Sequence, residues 1–232
     1  MVIEVKIVIV ANHDWYRQVY ENLTNTLDHQ VYYISNRESL TYDYLSTINP
    51  CYIFIPHWSF IIPQEVYENF ECIVFHMTDL PYGRGGTPLQ NLISRGIYET
   101  RLTAIRCEAE IDAGPIYLKK DLSLYGSAEE IYMRAAQTIE QMIQEIIETE
   151  PTPYEQVGEV VSFSRRKRTE GNLKKIDTLE RAFDHIRMLD ATSYPRAYLE
   201  TEDLLFEFER ASLKEGYIHA DVKITRKEDS DE

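Results

Sequence analysis

The sequence predicts an α/β fold: a mostly parallel, Rossmann-like doubly wound sheet followed by a small α+β subdomain. Short β-branched runs alternate with helical patterns through the first two-thirds of the 232-residue chain, as in repeated βα units. A long amphipathic pattern then ends at Pro151, since proline cannot continue a helix. Beyond it, alternating apolar residues flank a turn at 214–216, which is typical of an antiparallel hairpin.

The elements of the first part follow from the period of their apolar residues. Runs rich in valine and isoleucine predict strands, and apolar residues at helical spacing predict helices. The predicted strands are 5–10, 31–35, 51–55, 73–75, 103–107 and 116–120. The predicted helices are 15–27, 40–48, 87–95 and 128–149. The last of these starts with a capping box, in which Ser127 is followed three residues later by Glu130.

The residues after the linker at 151–153 differ in character. They predict a strand at 160–164, a helix at 179–189 and a hairpin of 204–210 with 217–224. We therefore expect a catalytic domain at 1–150, a C-terminal subdomain at 156–225 and a charged, frayed tail at 226–232. The apolar Leu204, Phe206 and Phe208 either close the core or form a dimer face, and we expect a homodimer.

Composition limits the function. Lys and Arg number 24 against 39 Asp and Glu, a net charge of −15, so a nucleic-acid partner is not expected, because phosphate binding needs a basic face. The dense basic run is 165–168. It is either a solvated loop or an anchor for a substrate phosphate.

Location and metal chemistry are also constrained. The first residues run directly into a strand pattern without the apolar core of a signal peptide, and no apolar stretch is long enough to span a membrane. The cysteines Cys51, Cys72 and Cys107 are odd in number and widely spaced, so we expect buried reduced thiols rather than disulfides or metal ligands. These features predict a cytoplasmic protein without membrane association or a bound metal.

A histidine and an aspartate stand out as a candidate site. His76 follows the apolar run 73–75 and precedes a loop with glycines at 83, 85 and 86. In α/β proteins the carboxyl end of a strand is where crevices for small ligands form. Asp112 lies in a tight turn between two strand-like runs. The two side chains suit proton transfer; alternatively, His76 satisfies a core hydrogen bond and Asp112 caps a turn.

The segments around these residues resemble a known family. The motifs are the His76 segment, the Pro-Tyr-Gly-Arg-Gly-Gly loop at 81–86 and the Ile-Asp-Ala-Gly-Pro-Ile turn at 111–116. Over 52–142 they are similar to the folate-dependent formyltransferases, and 164–166 with 194–198 resemble the branch that modifies nucleotide sugars. The resemblance implies an enzyme that moves a formyl group from 10-formyltetrahydrofolate to a substrate amine through a tetrahedral oxyanion.

The resemblance also implies roles for single residues. His76 would donate to the oxyanion or move the amine proton, and Asp112 would hold the imidazole in the useful tautomer. Family members carry asparagine two residues before the histidine, where this chain has Val74. Losing such a donor costs about 3 kcal/mol of transition-state stabilisation. Thr78, Gln90 or a loop N–H group would have to replace it, or the protein is slow or catalytically silent.

Binding residues follow from the same resemblance. The expected folate contacts are His57, Trp58, Ser59, Phe60, Ile61, Pro63 and Ile111. The expected substrate contacts are Tyr82, Gly83, Arg84, Gly85 and Gly86. Phe60 and Ile61 are alternatively core residues, Arg84 a structural anchor, and the glycines structural turn residues. We expect His13 to be a helix cap or a surface residue rather than a ligand contact.

The acceptor is expected to be the amine of a nucleotide-linked (UDP or dTDP) amino sugar, as in the biosynthesis of surface glycans. A tRNA would be repelled by the acidic chain. Two alternatives remain: formyl transfer to another small amine, and a silent module that binds folate or a sugar nucleotide.

Overall fold

The computed structural model describes residues 5–192 and 194–227, which form two compact units. One unit comprises Met1–Gly85, Thr100–Leu122 and Tyr132–Ser162, and the other Gly86–Glu99, Ser123–Ile131 and Phe163–Glu232. The chain therefore alternates between the units, and the predicted boundary between 150 and 156 does not coincide with this division. The predicted frayed tail falls largely on 228–232, which lie outside the described residues.

The first unit is built on a six-stranded sheet of order β2-β1-β3-β4-β6-β7. Its strands are β1 Lys6–Ala11, β2 Gln30–Ile34, β3 Tyr52–His57, β4 Cys72–His76, β6 Glu99–Arg106 and β7 Ile116–Ser123. β1 pairs in parallel with β2 and β3, and β3 pairs in parallel with β4. β4 and β6 are antiparallel. The predicted α/β class with a mostly parallel sheet is thus confirmed.

Helices connect these strands where the sequence predicts them. They are α1 Trp15–Thr26, α2 Tyr42–Ile48, α3 Gln64–Tyr67, α4 Pro88–Ile93 and α5 Ala128–Thr149. The short α3 was not predicted, because four residues give no helical period. At the start of α5, Ser127 and Glu130 form the predicted reciprocal cap: the Ser127 N–H donates to Glu130 Oε2 at 2.7 Å and the Glu130 N–H to Ser127 Oγ at 3.3 Å.

The core of the first unit packs against the central strands of the sheet. β1 is buried from Ile7 to Ala11, as expected for a central parallel strand covered on both faces. A buried cluster of side chains from β1, β3 and α2 includes Val8, Ile53 and Leu45. These contacts hold the carboxyl ends of β1, β3 and β4 in place.

The second unit contains a three-stranded antiparallel sheet of order β11-β10-β9, with α6 packed against β10. Its elements are α6 Leu179–Arg187, β9 Ala197–Glu200, β10 Leu204–Lys214 and β11 Tyr217–Arg226. The predicted hairpin of β10 and β11 is present, with a bulge between Glu209 and Ser212. β9 was not predicted as a strand. A further small sheet, whose strands lie in the first unit except for Phe163, pairs β5 Tyr82–Gly85 with β8 Val161–Phe163.

The apolar residues of the hairpin are only partly covered. Leu204, Phe206 and Phe208 are half-buried, whereas Val222 and Ile224 on β11 are exposed. The structure contains one chain, so the homodimer stays a prediction.

Two expectations about cysteines and membranes can be compared with the described residues. Cys72 is buried, Cys107 is half-buried and Cys51 is exposed, so the expectation that all are buried is wrong for Cys51; all are free thiols. No helix within 5–192 and 194–227 combines the length and apolarity needed to cross a bilayer.

Candidate active site

His76 lies at the carboxyl end of β4, where its side chain is almost enclosed. Within a strand, alternate residues share a face, so His76 and Val74 face the same side of the sheet. The His76 Nε2–H donates to the carbonyl oxygen of Gly83 at 2.8 Å. Because a carbonyl only accepts, Nε2 carries the hydrogen in this arrangement.

Asp112 approaches the other nitrogen of the ring. Its Oδ2 lies 3.5 Å from His76 Nδ1, and the two side chains are 13% and 8% exposed. The same Oδ2 accepts the backbone N–H of Gly85 at 2.8 Å. Both ring nitrogens thus face oxygen acceptors, the Gly83 carbonyl at Nε2 and the Asp112 carboxylate at Nδ1.

The backbone around Asp112 is shaped to present this carboxylate. Asp112 has φ +54°, in the left-handed region that aspartate and asparagine tolerate better than most residues. Gly114 makes the turn possible, because a Cβ at that position would lie 2.0 Å from the carbonyl oxygen of Arg106. The predicted convergence of His76 and Asp112 is therefore present, while their catalytic roles stay a prediction.

Thr78 faces the same backbone carbonyl as His76. It is fully buried, and its hydroxyl faces the Gly83 carbonyl oxygen at 3.5 Å. Its own carbonyl accepts the hydroxyl of Thr103 at 2.6 Å. Thr78 is well placed to influence the same carbonyl that binds His76, and its catalytic role stays a prediction.

Val74 occupies an apolar environment. It packs against the buried Leu80, Ile105 and Ile116. In the family that the sequence resembles, this position carries the amide of an asparagine. In this protein its neighbours are apolar, which suits a valine.

Gln156 is a residue that sequence reasoning missed. Its Nε2 donates to the carbonyl oxygens of Asp112 and Gly114, both at 2.9 Å. Its Oε1 accepts Nε of Arg84 at 3.2 Å and Nη2 at 2.9 Å. Arg84 Nη1 also donates to Glu110 at 3.0 Å, which favours the interpretation of Arg84 as a structural anchor. No local pattern marks Gln156, because its partners are more than forty residues away.

Most of the residues expected to bind folate lie just after β3 and are partly exposed. Phe60 and Ile61 are 43% and 75% exposed, so they are not core residues. Trp58 packs edge-on against Phe60 at 5.3 Å between ring centroids, and its buried Nε1 has no hydrogen-bond partner among the residues that the structure describes. Ser59 and Ile111 are exposed, and Pro63 precedes α3. An aromatic wall with an unpaired donor suits a planar ligand that carries acceptors.

His57 belongs to a cluster of rings at the carboxyl ends of β1 and β3. Its ring lies 4.5 Å from that of His13, which stacks on Trp15. Trp15 in turn stacks on Tyr132 at 4.8 Å. Burial, and secondarily the charge of His13, lowers the pKa of His57 from 6.5 to about 3, so this ring is neutral at physiological pH. His13 is thus a packed ring rather than a surface cap.

The remaining predicted substrate residues have local structural roles. Tyr82 closes a turn through its N–H to the Asp79 carbonyl at 3.1 Å. In the second unit, a Cβ on Gly86 would lie 2.6 Å from Arg165 Cβ, so close packing explains that glycine. Gln90, expected as one possible replacement for the missing oxyanion donor, lies in the second unit, where its Nε2 donates to the carbonyl of Met188 at 3.1 Å.

The basic run 165–168 is partly engaged. Arg166 donates to the Glu170 carbonyl at 3.0 Å, and Arg168 lies over the ring of Tyr198. Arg165 and Lys167 are exposed. Among the described residues, no group of three or more potential metal-ligating side chains is present.

Comparison with known proteins identifies the family. A solved structure described as methionyl-tRNA formyltransferase from Clostridium thermocellum is 46% identical, with a TM-score of 0.94 over 96% of this chain and 100% of that one. The chain belongs to the methionyl-tRNA formyltransferase-like family of folate-dependent formyltransferases. The resemblance to the folate-dependent formyltransferases is therefore confirmed, whereas the likeness of 164–166 and 194–198 to the branch that modifies nucleotide sugars stays a prediction.

Further comparisons give matches that are partial or of lower sequence identity. A family model described as "Methionyl-tRNA formyltransferase, C-terminal domain" matches residues 168–225. A methionyl-tRNA formyltransferase from Thermodesulfovibrio yellowstonii is 25% identical over 74% of this chain and 58% of its own length, so the chain spans about three-fifths of that relative. A 4-N formyltransferase from Francisella tularensis is 19% identical over 85% of this chain and 93% of that one, with a TM-score of 0.67, and shares the fold.

Proposed function

We propose that this protein transfers the formyl group of 10-formyltetrahydrofolate to a primary amine, with His76 and Asp112 handling the proton. The observation that carries the proposal is the placement of Asp112 Oδ2 3.5 Å from His76 Nδ1 at the carboxyl end of β4. Membership of the formyltransferase family supports the same chemistry.

The folate contacts proposed from the sequence fit such a co-substrate. Trp58 offers an unpaired buried N–H, and Phe60, Ile61 and Ile111 expose apolar surface. When bound, 10-formyltetrahydrofolate supplies the activated formyl carbon. Trp58 would then donate to an acceptor on the ligand, while Phe60 and Ile61 would cover its planar face.

His76 must change partners during such a reaction. Nε2 can take the proton of the attacking amine once it has left the Gly83 carbonyl and the single ring hydrogen lies on Nδ1, facing Asp112 Oδ2. Asp112 then stabilises the imidazolium that forms, as the arrangement of Nδ1 and Oδ2 allows. We infer that Gly83, with φ +81°, and Gly85, with φ +101°, give the loop the freedom for this exchange.

The acceptor has two candidates. Methionyl-tRNA is favoured by the relative that is 46% identical and by the matching C-terminal family model. A nucleotide-linked amino sugar is favoured by the net charge of −15, which opposes binding of a long polyanion, and by the exposed Arg165 and Lys167, which could contact one pyrophosphate. The second acceptor would place the protein in surface-glycan assembly, and both fit a cytoplasmic enzyme.

The deciding experiment incubates the purified chain with 10-formyltetrahydrofolate and each acceptor: charged methionyl-tRNA, or a panel of UDP- and dTDP-amino sugars. A product heavier by one formyl group identifies the acceptor by mass spectrometry. His76→Ala should abolish turnover, whereas His219→Gln, at an exposed position on β11, should not change it. Folate binding without turnover on any acceptor would instead support a silent binding module.

A further inference from the structure

We propose that Gln156 is a positioning residue that sets the approach of Asp112 to His76. This inference rests on the proposed function for its catalytic consequence and on the hydrogen-bond geometry for its structural one. Gln156 touches neither ring nitrogen of His76. It acts through the two backbone segments that meet at the histidine.

The two segments are the loop at 83–85 and the turn at 110–114. The loop provides the Gly83 carbonyl that binds His76 Nε2 and the Gly85 N–H that binds Asp112 Oδ2. The turn provides Asp112 itself. Two direct contacts join the segments: the Gly85 N–H donates to Asp112 Oδ2 at the site, and Arg84 Nη1 donates to Glu110 Oε1 at 3.0 Å. The second contact involves a carboxylate that is 76% exposed, so it holds the turn only weakly.

Gln156 supplies a further connection, which is made to the backbone of the turn. On the turn side, its Nε2 donates to the carbonyls of Asp112 and Gly114, which fixes the backbone on both sides of Ala113. On the loop side, its Oε1 accepts two N–H groups from Arg84, which lies between Gly83 and Gly85. The side-chain amide therefore ties loop and turn together at a point away from the imidazole.

The chemistry of the amide explains why this position needs glutamine. The turn offers two acceptors and the guanidinium offers two donors, so the bridging group must donate at one end and accept at the other. Among side chains of this length, only glutamine does both without charge. A glutamate would keep the Arg84 contact but would bring a carboxylate against two carbonyl oxygens.

The test separates the two ends of the bridge. Gln156→Glu removes the turn contacts, and Gln156→Leu removes both sets of contacts with little change in volume. Arg84→Met removes the loop contacts together with the Arg84–Glu110 ion pair. Glu155→Gln, at the exposed neighbouring position, is the matched control. The first measurement is the ¹⁵N chemical shift of the His76 ring nitrogens, which reports their protonation and hydrogen bonding without requiring activity. The second is steady-state kinetics as a function of pH.

We expect both Gln156 variants to shift the His76 ring signals and to lower kcat about 10- to 100-fold, because small misplacements of a catalytic group have effects of this size. KM for the folate should change little, and the pH profile should move. Unchanged ring signals in Gln156→Leu would overturn the proposal, even if activity fell. If the native protein shows no formyl transfer, the proposed function fails, while the ring signals still decide whether Gln156 positions the pair.

Discussion

The replacement of Asp112 by asparagine tests the proposed site with little disturbance of the fold. Asparagine tolerates the φ of +54° at this position, whereas alanine would add strain there. Its side-chain oxygen can still accept the Gly85 N–H, which lies 2.8 Å from the native carboxylate. The change therefore removes the negative charge facing His76 Nδ1 and leaves the turn in place.

The expected magnitudes differ for stability and rate. A hydrogen bond to a charged acceptor is worth roughly 1 kcal/mol more than one to a neutral acceptor, so the melting temperature should fall by about 2–4 °C. The rate should fall by about 10²–10⁴-fold, the usual contribution of positioned acid–base groups, or about 3–5 kcal/mol in the barrier.

The assay is formyl transfer under saturating folate, with thermal unfolding measured on the same preparations. Asp121→Asn is the control, since Asp121 makes an exposed ion pair with Arg101 at 3.4 Å. A folded Asp112→Asn variant that retained a rate within about twofold of the native protein would refute the role of the carboxylate, because a positioned acid–base partner is worth far more.

Three further substitutions test the packing described above. Gly114→Ala should destabilise the protein by about 1–3 kcal/mol, since its Cβ would meet the Arg106 carbonyl oxygen at 2.0 Å; an unchanged melting temperature would contradict this. Val74→Asn, at a half-buried position with apolar neighbours, should cost about 1 kcal/mol through an amide left partly unsatisfied and change the rate little if another donor serves the site, whereas a large gain in rate would show that the native site lacks one. His57→Phe should reduce the loss of unfolding free energy on acidification. In the native protein, His57 binds a proton below about pH 6.5 when the chain is unfolded, but only near pH 3 when it is folded. The native protein thus loses up to about 1.4 kcal/mol per pH unit in that window, and equal losses in both proteins between pH 7 and 5 in urea titrations would exclude His57.

Periodicity predicted the sheet well because its strands are covered on both faces. The buried run Ile7 to Ala11 and the apolar 73–75 have no polar interruption, which marks central parallel strands. The hairpin of β10 and β11 was also predictable from its alternation and turn. β5, with its glycines, has no such pattern, since its conformation is set by pairing with β8 from a distant part of the chain.

The candidate site was predictable to the extent that its residues lie in local motifs. His76 and Asp112 stand at the ends of recognisable segments, and their convergence follows from the sheet order. Gln156 lies in an irregular segment, and its role comes from contacts 42 to 72 residues away. The ring cluster around His57 was missed for the same reason, because Tyr132 reaches it from α5. Sequence separation, rather than residue type, decided what could be predicted.

The alternation of the chain between its two compact units limits how the protein can be divided. A stop codon after residue 150 would appear to leave an intact catalytic portion. It would also delete 151–162, which belong to the first unit, and with them the Gln156 amide that braces Asp112. The segments 86–99 and 123–131 would meanwhile lose the remainder of the unit to which they belong. A fragment that keeps both compact units whole must therefore extend through the C-terminal hairpin.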